Sequence, residues 1–222
     1  AVVMARTAHA CVCSGHSSSE LIVVGIVNGD RERDFTPPLR RTSELPPGIT
    51  HVGGVDAFLG YLEDELFPFI DAHLRTQVLR VLAGHSLGGL AAARALATKP
   101  NMFRRHVWVD PSLWWDADAS IDDLRASPTA GQDFTARVAA VRTDSLALAR
   151  AFSASSRNVS VVNVPLTGEA HEFLMYRGLH DGLTALFADY YPAMRHDLAL
   201  ASLPALTAQY RTLGRDFGYN VP

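Results

Sequence analysis

The stretch Val78-Leu79-Arg80-Val81-Leu82-Ala83-Gly84-His85-Ser86-Leu87-Gly88-Gly89-Leu90-Ala91-Ala92-Ala93 decides how this chain folds. It is apolar and β-favouring up to Ala83, then carries a Gly-x-Ser-x-Gly pentad, then an alanine-rich run of strong helix propensity. Ser86 therefore stands at a strand-to-helix corner. Gly84 and Gly88 are expected to remove the Cβ atoms that would collide where strand and helix pass each other. The serine hydroxyl is then lifted clear of the sheet. At the helix N-terminus the unpaired backbone N–H of Leu87 can face an oxygen that becomes negative when an ester carbonyl is attacked. A phosphate-cradling loop fits less well, because no Lys-Ser or Lys-Thr closes the motif.

Outward from this corner, apolar runs alternate with helical patterns, which predicts an α/β fold with a mostly parallel central sheet flanked by helices. Upstream, Leu21-Ile22-Val23-Val24-Gly25-Ile26-Val27 is apolar on both faces and reads as a central parallel strand. It empties into the charged loop Asn28 to Pro38 at the sheet edge where open α/β folds bind ligands, so Arg31 and Arg33 are candidate substrate contacts. A pairing of either arginine with Asp34 that merely fixes the loop is the alternative. After a long connection containing Pro46, Pro47, Gly48 and Gly53, the residues Val55, Phe58, Leu59, Leu62, Leu66, Phe69 and Ile70 recur at helical spacing. Pro68 is expected to kink that helix or end its first segment.

Downstream, the elbow helix is expected to end near Lys99-Pro100, and Arg105 to Val109 is the next strand. Its end, Asp110-Pro111-Ser112-Leu113-Trp114-Trp115, puts two tryptophans at the edge that carries Ser86, as an apolar wall for a substrate or as a cap on the core. Asp118 to Gly131 reads as loop, Phe134 to Val141 as a strand, Leu146 to Phe152 as a helix and Val159 to Val164 as the last strand. Of nine histidines, His171 alone lies in the loop after that last strand, on the edge that carries Ser86. An imidazole there can take the serine proton on attack and return it to the leaving alcohol. A triad acid is expected in the turn after the penultimate strand, where Asp144 lies; Glu169 or a backbone carbonyl orienting a Ser86–His171 dyad is the alternative. His85, inside the elbow, is a further candidate for contact with substrate.

Composition sets outer limits. The 222 residues are 48% hydrophobic and 19% charged with a net charge of −3, which suits one α/β domain with a substantial core. Dispersed arginines and a near-neutral balance argue against a nucleic-acid partner, and no apolar run reaches bilayer length. No leader pattern is visible, so a soluble, cytoplasmic protein is expected. Cys11 and Cys13 are too few for a metal site and poorly spaced for a disulfide, so no metal and no cofactor are expected.

From Leu21 to about Leu186 the chain resembles the esterase branch of the α/β-hydrolase superfamily that includes esterase D and the enterochelin and salmochelin esterases. The resemblance is carried by Ile22 to Ile26, Arg31 to Pro37, Glu65 to Asp71, Gly84-His85-Ser86-Leu87-Gly88-Gly89-Leu90, Pro111-Ser112-Leu113-Trp114-Trp115 and His171. It implies an α/β-hydrolase fold, hydrolysis of carboxylic esters, Ser86 as nucleophile, His171 as base, and a cleft bordered by the Arg31 to Pro37 loop and by Trp114 and Trp115. Two departures stand out. Residues 1 to 20 match no strand ending in Asp-Gly of the kind that supplies family members with a second oxyanion N–H, so the N-terminal strands are reduced or missing. Asp110 stands where the family more often has a small hydroxylated residue, which places a carboxylate near the cleft.

The expectation is a single α/β-hydrolase domain, residues 1–222, with an atypical segment at 1–20 and a helical extension at 190–222. It acts as a serine carboxylesterase on a small-molecule ester with short-chain or aryl groups. A shortened N-terminal edge favours pairing of two copies into a homodimer. A siderophore or other cyclic-ester hydrolase is the rival within hydrolases, with Arg31 and Arg33 holding an anionic substrate, and a catalytically idle binding domain is the rival from outside them.

Overall fold

A computed structural model of the chain describes residues 2–9, 20–42, 44–45, 47–126, 136–142, 147–148, 150–151, 159–188 and 203–217. Four apolar segments become parallel strands, because each is separated from the next by a connection long enough to return the chain to the same end of the sheet. These are β3 (Val81–His85), β4 (Arg105–Val109), β5 (Ala136–Val141) and β6 (Val159–Val164), hydrogen-bonded in the order β3-β4-β5-β6. Their registers, Val81 to Arg105, Arg105 to Arg137 and Arg137 to Ser160, bring all four carboxyl ends to one edge.

Alternation along the strands supplies two core layers. Trp108, Val138 and Ala140 pack beneath the elbow helix α4 (Leu87–Thr98) with Ala92, Ala93, Leu96 and Leu124. Val107, Val109, Ala139 and Val141 face the other way, toward Leu174 and Leu186 of α6 (Leu174–Leu186). Gly178 and Gly182 let α6 lie close on the sheet: a Cβ at either would stand 2.6 or 2.4 Å from a methyl of Val109 or Val107.

The N-terminal part departs from expectation. β2 (Glu20–Val27) is not a central parallel strand; it pairs antiparallel with β1 (Val2–His9) in a separate two-stranded sheet. Two adjacent strands joined by so short a connection as residues 10–19 can pair only antiparallel, since a parallel pair needs a longer crossover. Val24 and Ile26 reach the core formed by Val55, Leu59 and Leu62, whereas Val23 and Val27 are exposed. Cys11 and Cys13 lie outside the described residues.

The predicted helix over residues 55–70 forms as α2 (Val55–Tyr61), a π-helical turn (Leu62–Leu66) and α3 (Phe67–His73). The first α-helical segment ends at Tyr61, and the π-helical turn carries the chain on to Phe67, just before Pro68. The proline sits in the first turn of α3, where its missing N–H costs least. The short α1 (Arg31–Phe35) precedes α2, and α7 (Leu203–Phe217) lies near the end of the chain. No helix among the described residues is long and apolar enough to cross a membrane.

Residues 119–126, within the Asp118 to Gly131 segment read as loop, are helical. They belong to α5 (Trp115–Ala126), because Ala119, Ser120 and Leu124 are buried toward α4. The start of α5 is left-handed at Asp116, Ala117 and Asp118, with φ of 51°, 52° and 60°. Buried Asp116 explains the turn: its carboxylate accepts the backbone N–H groups of Arg40, Arg41 and Thr42 at 2.8–2.9 Å, fastening the long connection to the helix. Burial alone would push the Asp116 carboxyl up, but these donors and the Thr42 hydroxyl together hold it below the usual carboxylate range. Its contribution to stability is therefore full above the ordinary carboxylate pKa and is lost as pH falls through the lower folded value. Asp116→Ala is expected to cost roughly 2–4 kcal/mol at neutral pH, the penalty for three orphaned donors. The gap to wild type, read from urea midpoints, should narrow as the pH drops below about 4.

Candidate active site

At the end of β3 the chain turns sharply, and Ser86 takes φ 59°, ψ −121°. Such a backbone costs a non-glycine residue on the order of 1–3 kcal/mol and persists only when its surroundings over-determine it. Here they do: the Ser86 N–H donates to Val109 O, and Ser86 O accepts the N–H groups of Leu90 and Ser112, each at 3.1 Å. A Cβ on Gly84 would stand 2.1 Å from Gly88 O, and one on Gly89 would stand 2.6 Å from the Pro111 Cβ. A Cβ on Gly88 would meet nothing within 4 Å. The two indispensable glycines are thus Gly84 and Gly89, not Gly84 and Gly88, because the strand passes over the Gly88 carbonyl rather than its α-carbon. Leu87 opens α4, so its N–H has no intrahelical acceptor, and it finds no other partner among the described residues.

His171 begins a short 3₁₀ turn (His171–Phe173) after β6. Its Nδ1 is 2.7 Å from Asp110 Oδ2, at the end of β4. Its ring lies against that of His85, with centroids 4.4 Å apart, so the imidazole rests on the residue next to Ser86. No hydrogen bond joins His171 to Ser86 here; the Ser86 hydroxyl instead lies 3.4 Å from that of buried Ser112. Serine–imidazole bonds of this kind are often open in free enzymes and close on the substrate. With Nδ1 engaged by a carboxylate, Nε2 is the nitrogen left for a proton.

Asp144 lies outside the described residues; the carboxylate in contact with His171 is Asp110. Asp110 leaves β4 with φ 42°, and its N–H donates to Val141 O at 2.9 Å, which holds the side chain at the sheet edge. The only sequence signal for this role was an acidic residue at a strand end. Burial, and then the neighbouring His171, push the His85 imidazole below the ordinary histidine range, and its Nε2 is buried with no hydrogen-bond partner.

The substrate candidates divide. Trp114 is 57% exposed and borders, with Asp110, Leu113 and Ile121, a cavity of about 580 Å³. Trp115 is 1% exposed; its indole donates to Pro37 O at 3.2 Å and packs with Leu87 and Leu90, so it caps the core instead of lining a cleft. Arg33 is paired with Asp34 at 2.7 Å, as the loop-fixing alternative supposed, while the exposed Arg31 is near enough for its charge to act on His85. Among the described residues no group of three or more His, Cys, Asp and Glu is placed to hold a metal ion.

A family model, Esterase ("Putative esterase"), matches residues 5–165. The siderophore triacetylfusarinine C esterase of Aspergillus fumigatus is 36% identical over 98 residues, which cover 43% of this chain and 32% of that protein. Ferri-bacillibactin esterase BesA of Bacillus subtilis is 35% identical over 91 residues, 39% of this chain and 32% of its own. The chain thus aligns with about a third of the length of these curated relatives. Among solved structures, an IroE-like serine hydrolase from Shewanella oneidensis superposes with a TM-score of 0.73 at 28% identity, over 91% of this chain and 69% of that one.

The glycine contacts separate two substitutions that sequence alone would treat alike. Gly84→Ala is expected to give no soluble folded protein, whereas Gly88→Ala should fold and, by helix propensity, melt at the same temperature or a few degrees higher. Soluble yield and thermal melting of the pair check this.

Proposed function

This chain belongs to the Esterase family and has the α/β-hydrolase fold, and on that premise we propose that it hydrolyses carboxylic esters through an acyl-enzyme on Ser86. The Ser86 oxygen attacks the ester carbonyl while His171 Nε2 takes its proton, and the developing oxyanion is met by the Leu87 N–H. Asp110, bonded to Nδ1, fixes the tautomer and stabilises the imidazolium. The carbonyl re-forms as the alcohol leaves with the proton from Nε2. Water, deprotonated by the same nitrogen, then releases the acid and restores Ser86.

The observation that carries this reading is the 2.7 Å bond between Asp110 and His171, formed against the strained turn of Ser86. A serine on a plain glycine-rich turn has no need of a carboxylate-oriented imidazole on the preceding residue. The bond also counts against an idle binding domain.

For the substrate, exposed Trp114 beside the 580 Å³ cavity favours a small aryl or short acyl ester. A second reading, hydrolysis of a siderophore ester, is favoured by the relatives named for that activity. Neutral and anionic esters of equal size separate the two: the siderophore reading requires that kcat/KM for the anionic ester fall steeply with salt while that for the neutral ester does not.

Ser86→Ala should lower turnover of p-nitrophenyl butyrate at least a thousandfold and abolish labelling by a fluorophosphonate, with the melting temperature preserved. Asp110→Asn should lower kcat by about a thousandfold to ten-thousandfold. Normal turnover in Asp110→Asn would return the acid's role to another group.

A further inference from the structure

β5 ends at Val141, and Arg142 leaves it with φ 50° while its N–H remains bonded to Val164 O of β6 at 3.3 Å. From that anchored root the guanidinium reaches two segments. One terminal nitrogen donates to Glu169 O at 2.6 Å, two residues before His171. Nε stands 3.5 Å from Asp110 Oδ2, the same oxygen that His171 Nδ1 meets. The Glu169 carboxylate is held separately by Arg177 of α6 at 2.8 Å. The segment that ends at His171 is thus fixed on one side through a side chain and on the other through its backbone.

We propose that Arg142 is a positioning residue of the Ser86–His171–Asp110 relay, tying the His171 loop to the strand ends and sharing the carboxylate that orients the imidazole. This rests on the relay proposed above. The groups around His171 are Asp110 and Arg142 from the strand ends, His85 from the elbow, Glu169 and Glu172 on its own segment, and Arg177 and Asp181 on α6; Arg31 acts on His85 from α1. Of the two arginines that bind Glu169, Arg142 is the one that also contacts the acid. A guanidinium suits the position because its planar fork serves two acceptors that lie in different directions, which an ammonium on a flexible stem does not. The shared oxygen has a second consequence. A permanent cation beside Asp110 opposes the imidazolium that forms during attack, so removing it leaves the carboxylate's full charge for His171.

Arg142→Ala and Arg142→Lys in the whole chain, assayed with p-nitrophenyl butyrate, test this. In Arg142→Ala, kcat is expected to fall roughly ten- to a hundredfold with KM within about twofold, the cost of a misplaced base. The acidic limb of kcat/KM against pH should move to higher pH, and millimolar guanidinium chloride should restore part of kcat in this variant but not in wild type. Arg142→Lys should fall between the two, and it carries the same test if the alanine variant does not fold. Unchanged kcat and an unmoved limb overturn the assignment. So does a loss that guanidinium leaves unrepaired and that leaves the limb in place, since that marks a merely structural residue. Retained turnover in Ser86→Ala sinks the relay itself, and the role of Arg142 with it.

Discussion

The rest of the structure depends on a crossing of backbones at the head of α4. The carbonyl of Gly88 passes so near the α-carbon of Gly84 that no side chain fits between them, and this proximity bends the chain at Ser86 into a left-handed conformation. Strain of this kind is stored only where neighbours supply more bonds than it costs. β4 and the turn after it do so, Val109 accepting the Ser86 N–H and Ser112 donating its own to the Ser86 carbonyl. The elbow is therefore a property of two adjacent strand ends rather than of one loop. Gly89 against Pro111 belongs to the same junction, which explains why the second glycine of the pair matters more than the first.

Around this junction, charge does the work of holding segments that have little apolar surface. Asp116 gathers three backbone donors from the connection after α1, and Arg94 of α4 bridges Asp56 of α2 and Asp123 of α5 at 2.8 and 2.9 Å. Arg40 meets the same Asp123, and Arg41 pairs with Asp122. Partner sharing of this sort makes the pairs more than isolated surface bridges, which would contribute little. At the opposite end of the sheet edge Arg142 and Arg177 hold the loop of His171 by the same means. Polar contacts thus hold the loop of His171, whose ring also rests on that of His85, while Gly178 and Gly182 set how near the following helix lies to the strands.

Much of this was legible in the chain itself. Strands at residues 81–85, 105–109, 136–141 and 159–164 follow from apolar runs, and the corner at Ser86 follows from a pentad set between a strand and an alanine-rich helix. His171 is singled out by its place after the last strand, and the structure sets it against His85 and Asp110. The failures have physical causes. An apolar run such as Leu21 to Val27 records that a segment pairs but not with what or in which direction, and its partner proved to be the segment just before it. The segment Ala119 to Ala126 reads as loop because its helical character comes from contact with α4 and not from propensity.

The sequence by itself determined the local chemistry: where strands and helices alternate, which serine stands at the corner, and which histidine follows the final strand. These depend on neighbours a few residues apart, through periodicity, propensity and turn composition. Only the tertiary structure decided that Asp110 meets His171 from 61 positions away, that Trp114 is open while Trp115 is sealed, and that Arg142 reaches both Asp110 and the loop of His171. Each of those choices turns on strand order and register, which bring the ends of β4 and β5 and the loop after β6 to one edge, and no local pattern encodes that meeting.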